Sequence, residues 1–307
     1  MTIFYRRPVI PPRQPYLEEQ YISLVKKIIY QGETNVTRNG TTKSIFGANM
    51  RFSLKNRTIP LITTKKMAWK TCLHELIWFL RGKTSNEWLQ ERNVNIWNGN
   101  GSREFLDHQG FSERKEGDLG PIYGHQWRFF NAPYTSCDSN YKEQGIDQIN
   151  RIITILKGEH PTENKKSRRM VVSAWNPGQL SEMVLPPCHV LFQFHVNNKE
   201  ELSCSLYQRS GDVGLGIPFN IASYSFLTHL IAHHTGLKPG YFIHNIGDCH
   251  IYTEHEEALK KQIIREPYAS PTLSILNTYD NINQYDVNDF KIHDYKHYSK
   301  INMDMKA

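Results

Sequence analysis

The chain has 307 residues, 39 % hydrophobic and 22 % charged, enough to bury a large core without staples and suited to one large domain or two small ones. A formal net charge of +7 and a pI near 9.0 favour anionic partners such as phosphates, polyanionic cofactors or nucleic acid, although ordinary surface charge would explain them equally. Five cysteines without a C-x-x-C pair argue against a disulfide scaffold, and no stretch approaches the ~20 apolar residues of a membrane span, so a reducing, cytoplasmic location is expected.

In chain order, residues 1–14 carry Pro8, Pro11 and Pro12 and read as an extended tail. Arg6, Arg7 and Pro8 break any signal-peptide run. A helix is predicted from Pro15, with Leu17, Tyr21, Leu24 and Ile28 on one face and Gly32 as its stop. Residues 36–47 read as a loop or hairpin leading into a strand. A second helix is predicted over 68–81. Trp69, Leu73, Leu76, Ile77 and Leu80 form its stripe, and Cys72 and Phe79 flank Glu75, so this carboxylate belongs in a core or on the floor of a cleft.

Residues 98–121 are rich in glycine and charge and read as a surface excursion. A third helix is expected over 146–156, with Ile146, Ile149, Ile153 and Leu156 on one side, then a polar loop over 158–167 and a strand at 170–175. Alternation of Val190, Phe192, Phe194 and Val196, then Leu202, Cys204 and Leu206, predicts a hairpin that turns near 197–199. A long helix follows over 219–235, a strand over 240–247, and an amphipathic helix over 254–266 with Glu256–Lys260 and Glu257–Lys261 pairs. Without regular βαβ alternation, the elements fit one mixed α/β domain of the α+β type spanning 15–307.

Four features carry potential chemistry. Pro186-Pro187-Cys188-His189 sets a thiol beside an imidazole, which would suit an activated nucleophile; on those residues alone, a buried cysteine at the head of a strand is the more ordinary reading. Arginines fall at strand edges and in polar loops: Arg38, the pair Arg168 and Arg169, and Arg209 followed by Ser210. Forked donors beside hydroxyls suit a phosphate, though each arginine alone reads as surface charge. In Gly247-Asp248-Cys249-His250-Ile251-Tyr252, His250 and Tyr252 share a face if extended and suit a sugar hydroxyl. Asp248, His250 and His255 match no standard zinc spacing. Asn220 follows Pro218 near a helix start, where it would serve as a cap or read a pyrimidine edge.

Taken together, the segments SIFGANMRFSL, PLITTKK, HELIWFLRG, GDLGPIYGHQWR, SRRMVVSAWNP, LPPCHVLFQF, LSCSLYQRSGDVGLGIPFNIASY and GDCHIY closely resemble the thymidylate synthase family, in the family's order over most of the chain. The excursion before Gly120 resembles the longer loop of eukaryotic-type members. The resemblance implies conversion of dUMP to dTMP, with 5,10-methylenetetrahydrofolate supplying the carbon and the hydride and no metal required. It implies a homodimer with a large twisted mixed sheet packed back to back across the interface. Cys188 would attack uracil C6, Glu75 would assist proton movement, and Tyr123 would lie near the thiol. Arg209 would favour the thiolate, and Asp248 joins the catalytic group.

The resemblance further implies that dUMP would be held by Arg38, His189, Gln208, Arg209, Ser210, Gly211, Asp212, Asn220, His250 and Tyr252, with Arg168 and Arg169 reaching in from the other subunit. Trp97, Asp212, Leu215, Gly216 and Phe219 would line the folate slot. Some positions depart from the family pattern. The Arg38 loop is shortened to RNGTTKS, Asn98 replaces an aspartate after Trp97, Lys165 and Lys166 lengthen the loop before Arg168, and the end reads INMDMKA with Lys306. Two alternatives are carried: a deoxyuridylate hydroxymethylase of the same family, against a cytosine-specific version of which Asn220 speaks, and a nucleic-acid-binding protein that keeps the fold. No run of basic residues interleaved with aromatics favours the latter, leaving nucleic-acid binding at most secondary.

Overall fold

The long β-branched and aromatic runs of the central sequence form one twisted mixed sheet in the computed structural model, which describes residues 16–37 and 39–305. The predicted tail over 1–14 and the residues Pro15, Arg38 and Lys306 lie outside the described residues, and the first helix begins at Glu19, not at Pro15 as the sequence suggests. The strands are β1 (Glu33–Thr37), β2 (Gly40–Ser53), β3 (Val171–Ser173), β4 (His189–Val196), β5 (Glu201–Asp212) and β6 (Lys238–Tyr252), in the order β1-β2-β6-β5-β4-β3. Only β5 and β6 run parallel; every other neighbouring pair is antiparallel. A parallel pair needs a crossover, and α8 (Gly216–His234) supplies it.

Helix α8 is apolar all round and buried along nearly its whole length, as a helix between a sheet and a second helix must be. That second helix is α2 (Trp69–Leu80). The core between them and the sheet is aromatic: Trp127 packs edge-on against Phe192, and Tyr224 stacks on Phe242, which stacks on Phe52. Helix α1 (Glu19–Gln31) buries Tyr21, Leu24, Val25 and Ile28 in the same core, over β2 and β6, and ends at Gly32 as its sequence predicts. The opposite face is open: Val171, Leu191 and Tyr207 point outward from β3, β4 and β5 at 36–42 % exposure while their neighbours in the alternation are buried.

Three local expectations change. Residues 98–121 are not a loose excursion: they form α4 (Asn98–Gly101) and α5 (Arg103–His108) and bury Leu106, Asp118 and Leu119, because their few apolar residues dock onto the body. The third helix, α7 (Gln148–Lys157), starts two residues later than the pattern suggests. Asp147 caps it by accepting from Asn150 N–H, and Ile146 is exposed and bridges to Phe130 through the backbone. A two-stranded sheet of β7 (Thr272–Ile275) and β8 (Phe290–His293) forms where no strand was expected. The remaining helices are α3 (Glu87–Gln90), α6 (Tyr123–Phe129) and α9 (Glu256–Ile263). No helix among the described residues is long and apolar enough to cross a membrane.

Candidate active site

Cys188 ends the proline loop that leads into β4, and three contacts fix it. Its backbone N–H donates to the Tyr123 hydroxyl at 2.8 Å, and its carbonyl accepts from Arg209 N–H at 2.9 Å. The Arg209 guanidinium donates to the carbonyls of Pro186 and Pro187 at 2.8 and 3.0 Å, tying β5 to the loop. Burial pushes the thiol pKa up and the Arg209 charge pulls it down, with burial the larger effect, so the resting group is a thiol. The adjacent imidazole is not its base. His189 is buried and turned to Asn220, and burial holds its pKa down at about 4, leaving it neutral.

Glu75 lies on α2 as expected, and Trp97 N–H donates to its carboxylate at 2.8 Å. Among the described residues no arginine or lysine forms an ion pair with it. Burial raises its pKa to about 7, against a smaller opposing effect of the Trp97 hydrogen bond. Phe79, Trp97 and Tyr123 pack about it, and Tyr123 is 5.1 Å, ring to ring, from His189. One aromatic shell therefore connects the Glu75 carboxylate to the Cys188 loop.

Asn220 sits in the first turns of α8 and is partly open. Its Oδ1 accepts from Gln208 Nε2 at 2.9 Å, and its Nδ2 lies 2.8 Å from His189 Nε2. Gln208 also donates to the Ser210 carbonyl at 2.9 Å and meets His244 Nε2 through Oε1 at 2.8 Å. Gly211 has no room for a side chain, because a Cβ there would press into Ile217 and stand 3.1 Å from Gln208 Nε2.

Beyond β5 opens a polar cleft of about 370 Å³ that takes in Ser210, Asp248, His250 and Tyr252. Its far wall is the β1–β2 hairpin, through Asn35, Thr37, Asn39, Thr42 and Ser44, residues for which the sequence offered no signal beyond a run of small polar side chains. Asp248 lies 2.7 Å from His250 Nδ1 and orients that ring; it pairs with Ser210 on the side of β5 away from Cys188, roughly 10 Å or two strand spacings from it. Arg168 and Arg169 are not brought to this cleft. They are exposed beside Gln193 and His195, roughly 15–20 Å along β4 from Cys188. Asp248, His250 and His255 do not assemble: among the described residues no cluster of three such groups is placed to hold a metal.

Asp212, Leu215, Gly216 and Phe219 follow one another from the end of β5 into α8. Asp212 accepts from Gly214 N–H at 2.8 Å, and Gly216 is uncrowded: a Cβ added there would meet Asn220 Oδ1 only at 4.0 Å. Two residues that sequence reasoning missed brace this turn. Buried Lys65 donates to the Gly214 carbonyl at 2.6 Å, its pKa lowered by burial to about 8, and the Tyr21 hydroxyl donates to the Val213 carbonyl at 2.9 Å. Near the C-terminus, Met303 lies against Gly214, and His255 binds the Asp304 carbonyl at 2.8 Å.

The sequence profile of the family described as thymidylate synthase matches residues 19–307. The chain is 50 % identical to thymidylate synthase of Homo sapiens over 309 residues, covering 98 % of this chain and 96 % of that protein. Against thymidylate synthase of Saccharomyces cerevisiae it is 49 % identical over 300 residues, 94 % of this chain and 97 % of that protein. It is likewise 49 % identical to the bifunctional dihydrofolate reductase-thymidylate synthase of Leishmania major over 290 residues, 94 % of this chain but 55 % of that longer protein.

Proposed function

The chain belongs to the thymidylate synthase family, and from that premise we propose that it converts dUMP to dTMP, with Cys188 as the covalent nucleophile. The observation that carries the reading is the edge of Asn220. With one Oδ1 lone pair engaged by Gln208 and one Nδ2 hydrogen directed at His189, the amide keeps one acceptor and one donor side by side. Uracil offers N3–H and O4 in that arrangement; cytosine offers the reverse.

5,10-Methylenetetrahydrofolate supplies the one-carbon unit and the hydride and leaves as dihydrofolate. The side chains that suit it are Asp212, whose second oxygen is available for ring N–H groups, and the slot of Trp97, Leu215, Gly216 and Phe219. Cys188 Sγ adds to C6 of the ring, which places electron density on C5 and O4. The Asn220 N–H faces O4 and stabilises that charge. The thiol proton must leave for this step, and the Arg209 guanidinium favours the anion. Glu75, with a pKa near 7, passes a proton to or from O4 and C5 through water.

The phosphate is held by Arg209 and Ser210, together with Arg38, and the sugar hydroxyl by His250 and Tyr252. Arg168 and Arg169, remote from their own Cys188, serve the site of a second copy, which docks on the open sheet face bearing Leu191 and Tyr207. Purified protein mixed with dUMP and the folate should form dihydrofolate, followed at 340 nm, and dTMP, identified by mass. Cys188→Ser should abolish both while still binding dUMP. Hydroxymethyl-dUMP without dihydrofolate would replace this reading with the hydroxymethylase; no product from folded protein would sink it.

A further inference from the structure

Asn220 reads a base only if its amide is held one way round, and the reason it is held lies deeper than the nucleotide site. The Ser210 carbonyl is a backbone oxygen and can only accept. Gln208 must therefore turn its NH2 toward Ser210, and the second hydrogen of the same NH2 falls on Asn220 Oδ1. That leaves Gln208 Oε1 facing inward, 2.8 Å from His244 Nε2. An oxygen there needs a donor, so His244 carries its proton on Nε2. At the other end, Asn220 must donate through Nδ2, so His189 accepts through Nε2 and carries its proton on Nδ1.

We propose that His244, remote from substrate in the middle of β6, is a positioning residue for pyrimidine selectivity: through Gln208 it fixes the Asn220 amide in the orientation that accepts uracil and rejects cytosine. This rests on the dUMP reading above. Gln208 and His244 are 2 % and 0 % exposed, so water cannot replace the lost donor. The relay also requires both rings to be neutral, and burial holds His244 at about 3 and His189 at about 4. No carboxylate pairs with either ring among the described residues; Phe242 and Tyr224 pack against them. His244 is not among the residues that line the nucleotide cleft, and its side-chain hydrogen bond goes to Gln208.

The test joins two measurements. In ¹⁵N-labelled protein without nucleotide, the ring shifts of His244 should report the Nε2–H tautomer and those of His189 the Nδ1–H tautomer; the opposite pair overturns the relay, whatever the protein's activity. His244→Phe keeps the ring packed near Phe242 but removes the donor. KM for dUMP should rise about tenfold with kcat within about threefold, and the ratio of dUMP to dCMP binding should fall at least tenfold. His244→Gln places an amide N–H where Nε2 stood and should restore most of both. If His244→Phe is folded and keeps the wild-type KM and base ratio, or if both variants lose kcat alone in step with thermal stability, His244 is merely structural. Wild-type protein that binds no dUMP would instead refute the proposed function, and the tautomers would still decide the relay.

Discussion

Glu75 shows how a site residue costs stability. Its carboxyl pKa is about 7 in the folded chain, above its ordinary 4.5, because burial penalises the anion. Between those values the folded chain holds a proton that the unfolded chain has lost, so this group's contribution to stability falls as pH rises through the window. Glu75→Gln mimics the protonated state. In urea unfolding it should exceed the wild type by under ~1 kcal/mol at pH 5 and by ~3 kcal/mol at pH 8, while turnover falls at least ~100-fold. Equal effects at both pH values would mean that the carboxyl titrates normally. Cys188 and Asn220 stand out in the sequence as single residues. Lys65 and His244 do not, because what matters about each is a hydrogen bond to a residue nearly 150 or 36 positions away.

At the scale of elements, α2 and α6 hold the two ends of the proposed catalytic machinery. Tyr123 opens α6, and the next residue, Gly124, lies so close to the turn after α2 that an added Cβ would stand 2.5 Å from the Lys83 carbonyl. Gly124→Ala should push the helices apart and draw the Tyr123 hydroxyl away from Cys188 N–H. We expect a loss of ~1–3 kcal/mol in thermal or urea unfolding and a lower kcat with little change in KM. Unchanged kcat in a destabilised variant would sever the link between helix spacing and the nucleophile. The elements legible in advance were those with strong periodicity, α1, α2 and the β4–β5 hairpin, together with α8, whose long apolar run lies between Pro218 and Gly236. Those missed were short: β7 and β8 have four residues each, too few for a pattern to rise above chance.

For the whole molecule, buried histidines set the acid limit. His189, His229 and His244 are neutral in the folded chain, with pKa values pushed down by burial to about 4, 4 and 3. Unfolded, each would titrate near 6.5. Below that pH the unfolded chain binds the extra protons, so stability is complete above about 6.5 and falls with acidification, at a limiting slope of about 4 kcal/mol per pH unit for three protons. Chemical denaturation at half-unit steps from pH 7 to 5 checks this; a flat profile would mean that the rings are accessible. The open sheet face makes a second prediction. On the proposed dimer, wild-type protein should sediment as a dimer and Tyr207→Glu as a monomer without activity, because Arg168 and Arg169 would no longer reach the partner's site; an active monomer would refute the shared site.

The family, the α/β class and the residues proposed to react were legible in the chain alone, because these reside in residue types and short-range order: a thiol after two prolines, an arginine–serine pair at a strand end, an asparagine near a helix start. Tertiary structure alone decided which groups work together and in what state. It turned His189 away from the thiol it adjoins, raised Glu75 toward neutrality by enclosing it, moved Arg168 and Arg169 to the far end of β4, and placed His244 behind Gln208. Burial and hydrogen bonding across the sheet join residues by distance in space, a quantity that neighbouring letters in a chain do not encode.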